Sequence, residues 1–211
     1  MNKKVISIFF ILMLVSTIAP VFSADNTTKN ITVDGVTFEL PQKYQGSSVD
    51  SDGHVYMLDT VFDFAIRSMY YNDYLVDEYG YAIEKAKSSE VVTIGSHEVY
   101  YVLTEMLDMD VSYAFFASGE KIFCISWQGD SITPEIENMI EKTPDSSYSS
   151  DELSNIFDNA NNQYVEDLAA EQQEYEYQQQ DSMIKKLDEI SNRRYHFSHF
   201  GTHGFGFGSV Y

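Results

Sequence analysis

Three histidines near the C-terminus have the types and spacing best suited to chemistry. His196, His199 and His203 lie within Tyr195-His-Phe-Ser-His-Phe-Gly-Thr-His-Gly204. Imidazoles so grouped ligate zinc, nickel or copper, though a loose backbone without supporting partners binds weakly and unselectively. Divalent-metal capture by these histidines, or by an acidic surface, is therefore one candidate activity. A second grouping is Ser48-x-Asp50-x-Asp52-Gly53 with Asp59 beyond. It puts oxygens at the first, third, fifth and twelfth places of a calcium loop and glycine at the sixth. Serine opens it and a short Asp replaces the closing bidentate Glu, while the flanks read as strands. An acidic turn is the expectation.

Catalytic groupings are sparse. His54 and His97 are the histidines of residues 31–144, and no Gly-x-Ser-x-Gly, local Cys-His pair or phosphate-cradling glycine loop accompanies them. Asp108 and Asp110 form a carboxylate pair of the kind that abundant acids produce by chance. The single cysteine, Cys124, sits in the strand-like run Lys121-Ile-Phe-Cys-Ile-Ser-Trp127 and reads as a buried, inert thiol. No catalytic residue and no cofactor is assigned. A cell-wall-acting hydrolase would need a cluster around His97 or a perturbed carboxylate in a pocket.

The elements that position these residues begin beyond a leader. Lys3 and Lys4 precede the apolar run Val5–Ala19, and Val21-Phe22-Ser23 follows Pro20. A basic start, a short apolar stretch and small residues at its end make a secretory signal, cleaved after Ser23. Uncleaved, Val5–Phe22 would be a short membrane anchor. The chain is thus expected to be secreted or displayed at the cell surface. Asn26-Thr-Thr and Asn30-Ile-Thr, in the linker of residues 24–30, are glycosylation acceptor patterns.

The chain carries 13 basic and 33 acidic residues, a net charge of −20; loss of the leader removes two lysines and leaves −22. Such a surface repels phosphate backbones, so nucleic acid is excluded as a partner. A membrane is a partner only through an uncleaved leader. One cysteine permits no internal disulfide, so the core must suffice.

Residues 31–144 alternate strand and helix signals. Ile31-Thr-Val33, Asp34-Gly35 and Val36-Thr-Phe-Glu-Leu40 spell a hairpin on a type I′ turn. Val33 then faces Val36, Ile31 faces Phe38, and Leu40 shares their side while Thr32 and Thr37 take the other. Strands follow over His54–Asp59 and Phe62–Tyr70. Leu75, Val76, Tyr79, Ala82, Ile83 and Ala86 then fall on one helical face over Asn72 to about Lys87, capped by Asn72 and weakened at Gly80. Val91–Ile94 with His97–Leu103, and Val111–Ala117 with Lys121–Trp127, form two more hairpins, the register of the second open by one residue. Thr133-Pro134 starts a short helix that buries Ile136, Met139 and Ile140.

Three of these segments, Val36-Thr-Phe-Glu-Leu-Pro41, Ile94-Gly-Ser-His-Glu-Val-Tyr-Tyr101 and Gly119-Glu-Lys-Ile-Phe-Cys-Ile125 with the helix beyond, resemble the PsbP-like fold in their order. Photosystem accessory subunits and a nuclear-transport GTPase release factor share that fold. The resemblance spans residues 31–144 and implies a non-enzymatic accessory or binding domain, with no functional residue carried over.

Residues 145–194 read as a helical extension opened by the capping box Ser149-x-x-Glu152. Leu153, Phe157, Ala160, Tyr164 and Leu168 recur at helical steps, as do Ile184, Leu187 and Ile190, but Glu171–Gln180 is almost wholly polar. Two shorter helices or a frayed stalk, with weak homodimerisation through this region, are the expectation. Residues 195–211 read as a disordered tail rich in Gly, His and aromatics. The sum is an α+β protein: an antiparallel β-sheet flanked by two helices, then a long C-terminal helix and a tail. Its expected role is an exported, non-catalytic module that binds an extracellular protein or cell-wall polymer.

Overall fold

A computed structural model describes residues 28–60 and 63–200, with side chains as far as residue 191. The fold is α+β, with two antiparallel sheets and a long C-terminal helix. Residues 1–23, where a leader is expected, Asn26 and His203 lie outside the described residues.

Strands β1 (Lys29–Val33) and β2 (Val36–Leu40) pair in the register the sequence implies, Val33 with Val36 and Ile31 with Phe38. Asp34 and Gly35 both take positive φ, 46° and 80°, which a type I′ turn requires. Ile31, Val33, Val36, Phe38 and Leu40 are buried, while Thr32 and Thr37 are exposed with their hydroxyls 3.4 Å apart. This hairpin is a sheet of its own.

The larger sheet holds six strands: β3 (Val55–Leu58), β4 (Phe64–Ser68), β5 (Ala86–Ile94), β6 (His97–Met106), β7 (Met109–Ser118) and β8 (Lys121–Gln128). Their spatial order is β3-β4-β8-β7-β6-β5. Ser118 pairs with Lys121, which fixes the β7–β8 register around a two-residue loop. The β6–β7 turn is tighter than the sequence suggests. Met106 pairs with Met109, and Leu107 and Asp108 between them have φ of 52° and 63°. A type I′ turn without glycine carries no sequence signature, so both strands run closer together than expected. Strand β5 also starts early, because its exposed edge position needs no apolar alternation.

One core joins the hairpin to a face of the six-stranded sheet and to helix α2 (Pro134–Glu141). Phe38 meets Phe123 edge-on at 5.3 Å, and Tyr44 stacks on Phe64 at 3.9 Å. Ile136, Met139 and Ile140 are fully buried, as their spacing implies. Burying each such side chain is worth about 1.5–3 kcal/mol. Pro134 occupies the first turn of α2, with Thr133 as its N-cap residue but without a side-chain capping bond.

A second compact unit comprises residues 71–86 and 149–211. It pairs helix α1 (Asn72–Glu84) with helix α3 (Ser150–Phe200). The N-cap of α1 is Tyr71 rather than Asn72, and the Asn72 amide instead donates to Gln163 Oε1 at 3.5 Å. At Gly80 the helices approach closely, since a Cβ added there would lie 2.2 Å from Tyr164 Cγ. Tyr79 packs on Phe157 with ring centres 4.8 Å apart. The Tyr164 hydroxyl donates to Glu84 Oε2 at 2.8 Å; burial and that carboxylate push its pKa up to about 12. The capping box of α3 is formed: Ser149 N–H and Oγ donate to Glu152 Oε2 at 2.8 and 2.7 Å. Where two shorter helices or a frayed stalk were expected, one helix of 51 residues runs unbroken through Glu171–Gln180.

Candidate functional site

The residues that sequence reasoning singled out do not converge. Asp50 is used as a turn cap: its Oδ1 accepts the backbone N–H groups of His54 and Val55 at 2.8 and 3.0 Å. Those bonds, from Val55 first, hold its carboxyl below the ordinary range. Among the described residues no group of three or more His, Cys, Asp or Glu is gathered to hold a metal. His196 and His199 fall in the last turns of α3, beyond the described side chains. Asn30 is exposed in β1, opposite Glu39, so its acceptor pattern is on the surface.

His97 is fully buried. Its Nδ1 lies 2.9 Å from Ala117 O and its Nε2 3.3 Å from Thr143 Oγ1, while Thr143 Oγ1 also donates to Ile140 O. This ties β6 to the end of α2 and offers no route to a substrate. Cys124 is equally buried, with Arg67 Nη2 3.8 Å from its sulfur.

A polar constellation that the sequence did not reveal surrounds Asp34. Lys121 Nζ donates to Asp34 Oδ1 at 2.6 Å and to its backbone oxygen; Ser68 Oγ donates to Oδ2 at 2.6 Å. His54, stacked on Tyr70 at 3.8 Å, brings Nδ1 to 3.8 Å from Oδ1. Burial works to raise the Asp34 carboxyl, but the bonds from Lys121 and Ser68 and the charges of Lys121 and His54 hold it below its ordinary value. The group anchors the hairpin turn to β4 and β8. A carboxylate held ionised at neutral pH, with both oxygens occupied, is an anchor, not a base.

One cleft of about 420 Å³ opens between Thr28, Pro41, Gln42, Pro134, Glu135 and Asn138. Glu135, the only carboxylate among those residues, accepts its own backbone N–H and pairs with Lys43 at 3.5 Å; these help hold its pKa down. A general acid needs the opposite shift.

The distal half of α3 is the feature that asks for a partner. Every side chain from Ala169 to Ser191 is exposed. Tyr177 is 73 % exposed, Met183 62 %, Ile184 58 %, Leu187 60 % and Ile190 54 %. At 100° per residue these five fall on one face, with Ile184 a heptad beyond Tyr177. Sequence periodicity found Ile184, Leu187 and Ile190, but polar Gln178–Asp181 disguised the rest of the face. Along the flanks the helix supports itself. Lys185 pairs with Asp181 at 2.7 Å, Gln178 donates to Glu174 at 3.2 Å, and Gln179 donates to the Tyr175 hydroxyl at 2.7 Å. Such pairs add a few tenths of a kcal/mol each, too little to hold a solitary helix firmly in water.

Comparison with known proteins finds no match: no family model, curated protein or solved structure aligns with this chain.

Proposed function

We propose that this is an exported, non-catalytic surface module that docks a protein through the distal half of α3. The observation that carries the reading is the exposed face of Tyr177, Met183, Ile184, Leu187 and Ile190. A largely aliphatic stripe at helical spacing suits the apolar face of another helix. The sheet unit then serves as a stable body, with Asp34 and His97 fastening its parts. Export rests on the leader of residues 1–23, and the PsbP-like order of elements is consistent with an accessory role.

Two measurements test this. N-terminal sequencing of the protein from the cell envelope is expected to begin at Ala24, and an uncut chain free in the cytosol overturns export. Leu187→Asp is expected to abolish capture of a specific partner by the mature chain. Equal capture by both chains overturns the docking face.

A further inference from the structure

We propose that Asp52-Gly53 is a site of spontaneous backbone modification, where Asp52 rearranges to isoaspartate in the folded protein, and that Asp34-Gly35 is protected from it. Both are Asp-Gly pairs, the sequence that most readily closes a five-membered imide, because glycine puts no side chain beside its own nitrogen. The glycine nitrogen bonds to Cγ of the protonated aspartic acid. The carboxyl's hydroxyl leaves with the amide proton as one water. A second water then opens the ring at either carbonyl. Opening at the α-carbonyl leaves the backbone running through the former side chain, one carbon longer, with composition unchanged.

The two pairs differ in what holds the carboxyl. Asp34 gives Oδ1 to Lys121 and Oδ2 to Ser68, both at 2.6 Å, and a Cβ built on Gly35 would sit 3.7 Å from Lys121 Nζ. Each such bond to a charged group must break first, which slows ring closure about tenfold or more. Held below its ordinary pKa, the Asp34 carboxyl is also in the ionised, unreactive form. Asp52 is exposed, and its carboxylate accepts the Ser51 hydroxyl at 3.3 Å, a long bond that water readily replaces. A Cβ built on Gly53 meets nothing within 4 Å, so the ring has room. The Gly53 N–H meets the backbone oxygen of Asp50 at 3.2 Å and, after Val55 and His54, helps hold the Asp50 carboxyl ionised. Asp50 therefore stands where the departing amide proton must go.

The rearrangement reaches the anchor of the first hairpin. Gly53 O accepts the Asp34 N–H at 2.6 Å, and His54 O accepts the Ser68 N–H at 2.9 Å. A backbone one carbon longer just before Gly53 moves both acceptors out of register. The turn at Asp50 and the fastening of Asp34 then loosen together.

The test is ageing of the intact folded protein in warm, mildly acidic buffer, with fragment mass spectrometry placing each isoaspartate. Isoaspartate is expected at residue 52, with at least about tenfold less at residue 34. In denaturing urea, where neither carboxyl is held, the two pairs are expected to react at similar rates. The aged protein should unfold at a lower urea midpoint. Asp52→Glu, whose longer side chain closes a six-membered imide far more slowly, should keep its midpoint on ageing. Equal rates at residues 34 and 52 in the folded protein overturn the proposal, as does no isoaspartate at 52 where urea releases it. A midpoint that falls as far on ageing in Asp52→Glu overturns the link to the hairpin anchor.

Discussion

Asp34 shows how one residue serves a turn and a tertiary contact at once. Its φ of 46° is a conformation that asparagine also tolerates, so Asp34→Asn keeps the turn and removes only the charge. Its folded pKa lies below the ordinary 3.8, so its stabilisation is present above that value and is lost as pH falls through the folded value. The variant is expected to lose about 1 kcal/mol at neutral pH and to match the parent at low pH, measured by urea midpoints at both. Gly80 poses the reverse question. Alanine gains about 1 kcal/mol of helix propensity, yet its Cβ would meet the Tyr164 ring at 2.2 Å. Overpacking costs about 1–3 kcal/mol, so Gly80→Ala is expected to lower the melting midpoint, and Tyr164→Leu in the same chain to restore part of it. A midpoint raised by Gly80→Ala alone would deny the close approach.

At the scale of elements, legibility followed turn chemistry. The first hairpin was readable to the residue because Asp-Gly allows one turn type and Val, Phe and Leu alternate with Thr and Glu. The α3 start was readable because Ser149 and Glu152 cap each other reciprocally. The β6–β7 turn was not, since Leu107 disfavours the left-handed conformation it adopts and no glycine follows to mark the turn. Leu107 is 83 % exposed and holds nothing in place. Replacing the pair by Leu107→Asn with Asp108→Gly is therefore expected to stabilise the sheet by about 1–2 kcal/mol, read as a higher urea midpoint with unchanged slope. The first part of β5, Ala86–Glu90, was likewise invisible, because an edge strand with outward polar residues has no alternation to read. The apolar face of α3 was half legible: its aliphatic end was clear, but four polar residues hid its continuity with Tyr177.

For the whole molecule, the apolar spacing of α2 and the amphipathic first half of α3 announced what is buried, whereas nothing announced the anchor of Asp34, Ser68 and Lys121. Those residues lie far apart in sequence, and no local pattern links them. Stability should follow the buried half of α3. Beyond Leu168 no described side chain is buried, so a chain ending at Ala170 is expected to keep its melting midpoint. A fall of more than a few degrees would mean that the distal helix supports the fold.

Gly80 and its partner Tyr164 stand 84 positions apart, on helices that belong to one unit while most of the sheet is encoded between them. A ribosome adding about 5–20 residues per second therefore finishes α1 roughly 4–17 s before its mate exists. Until then its greasy side has no native cover and is open to any chaperone the growing chain meets.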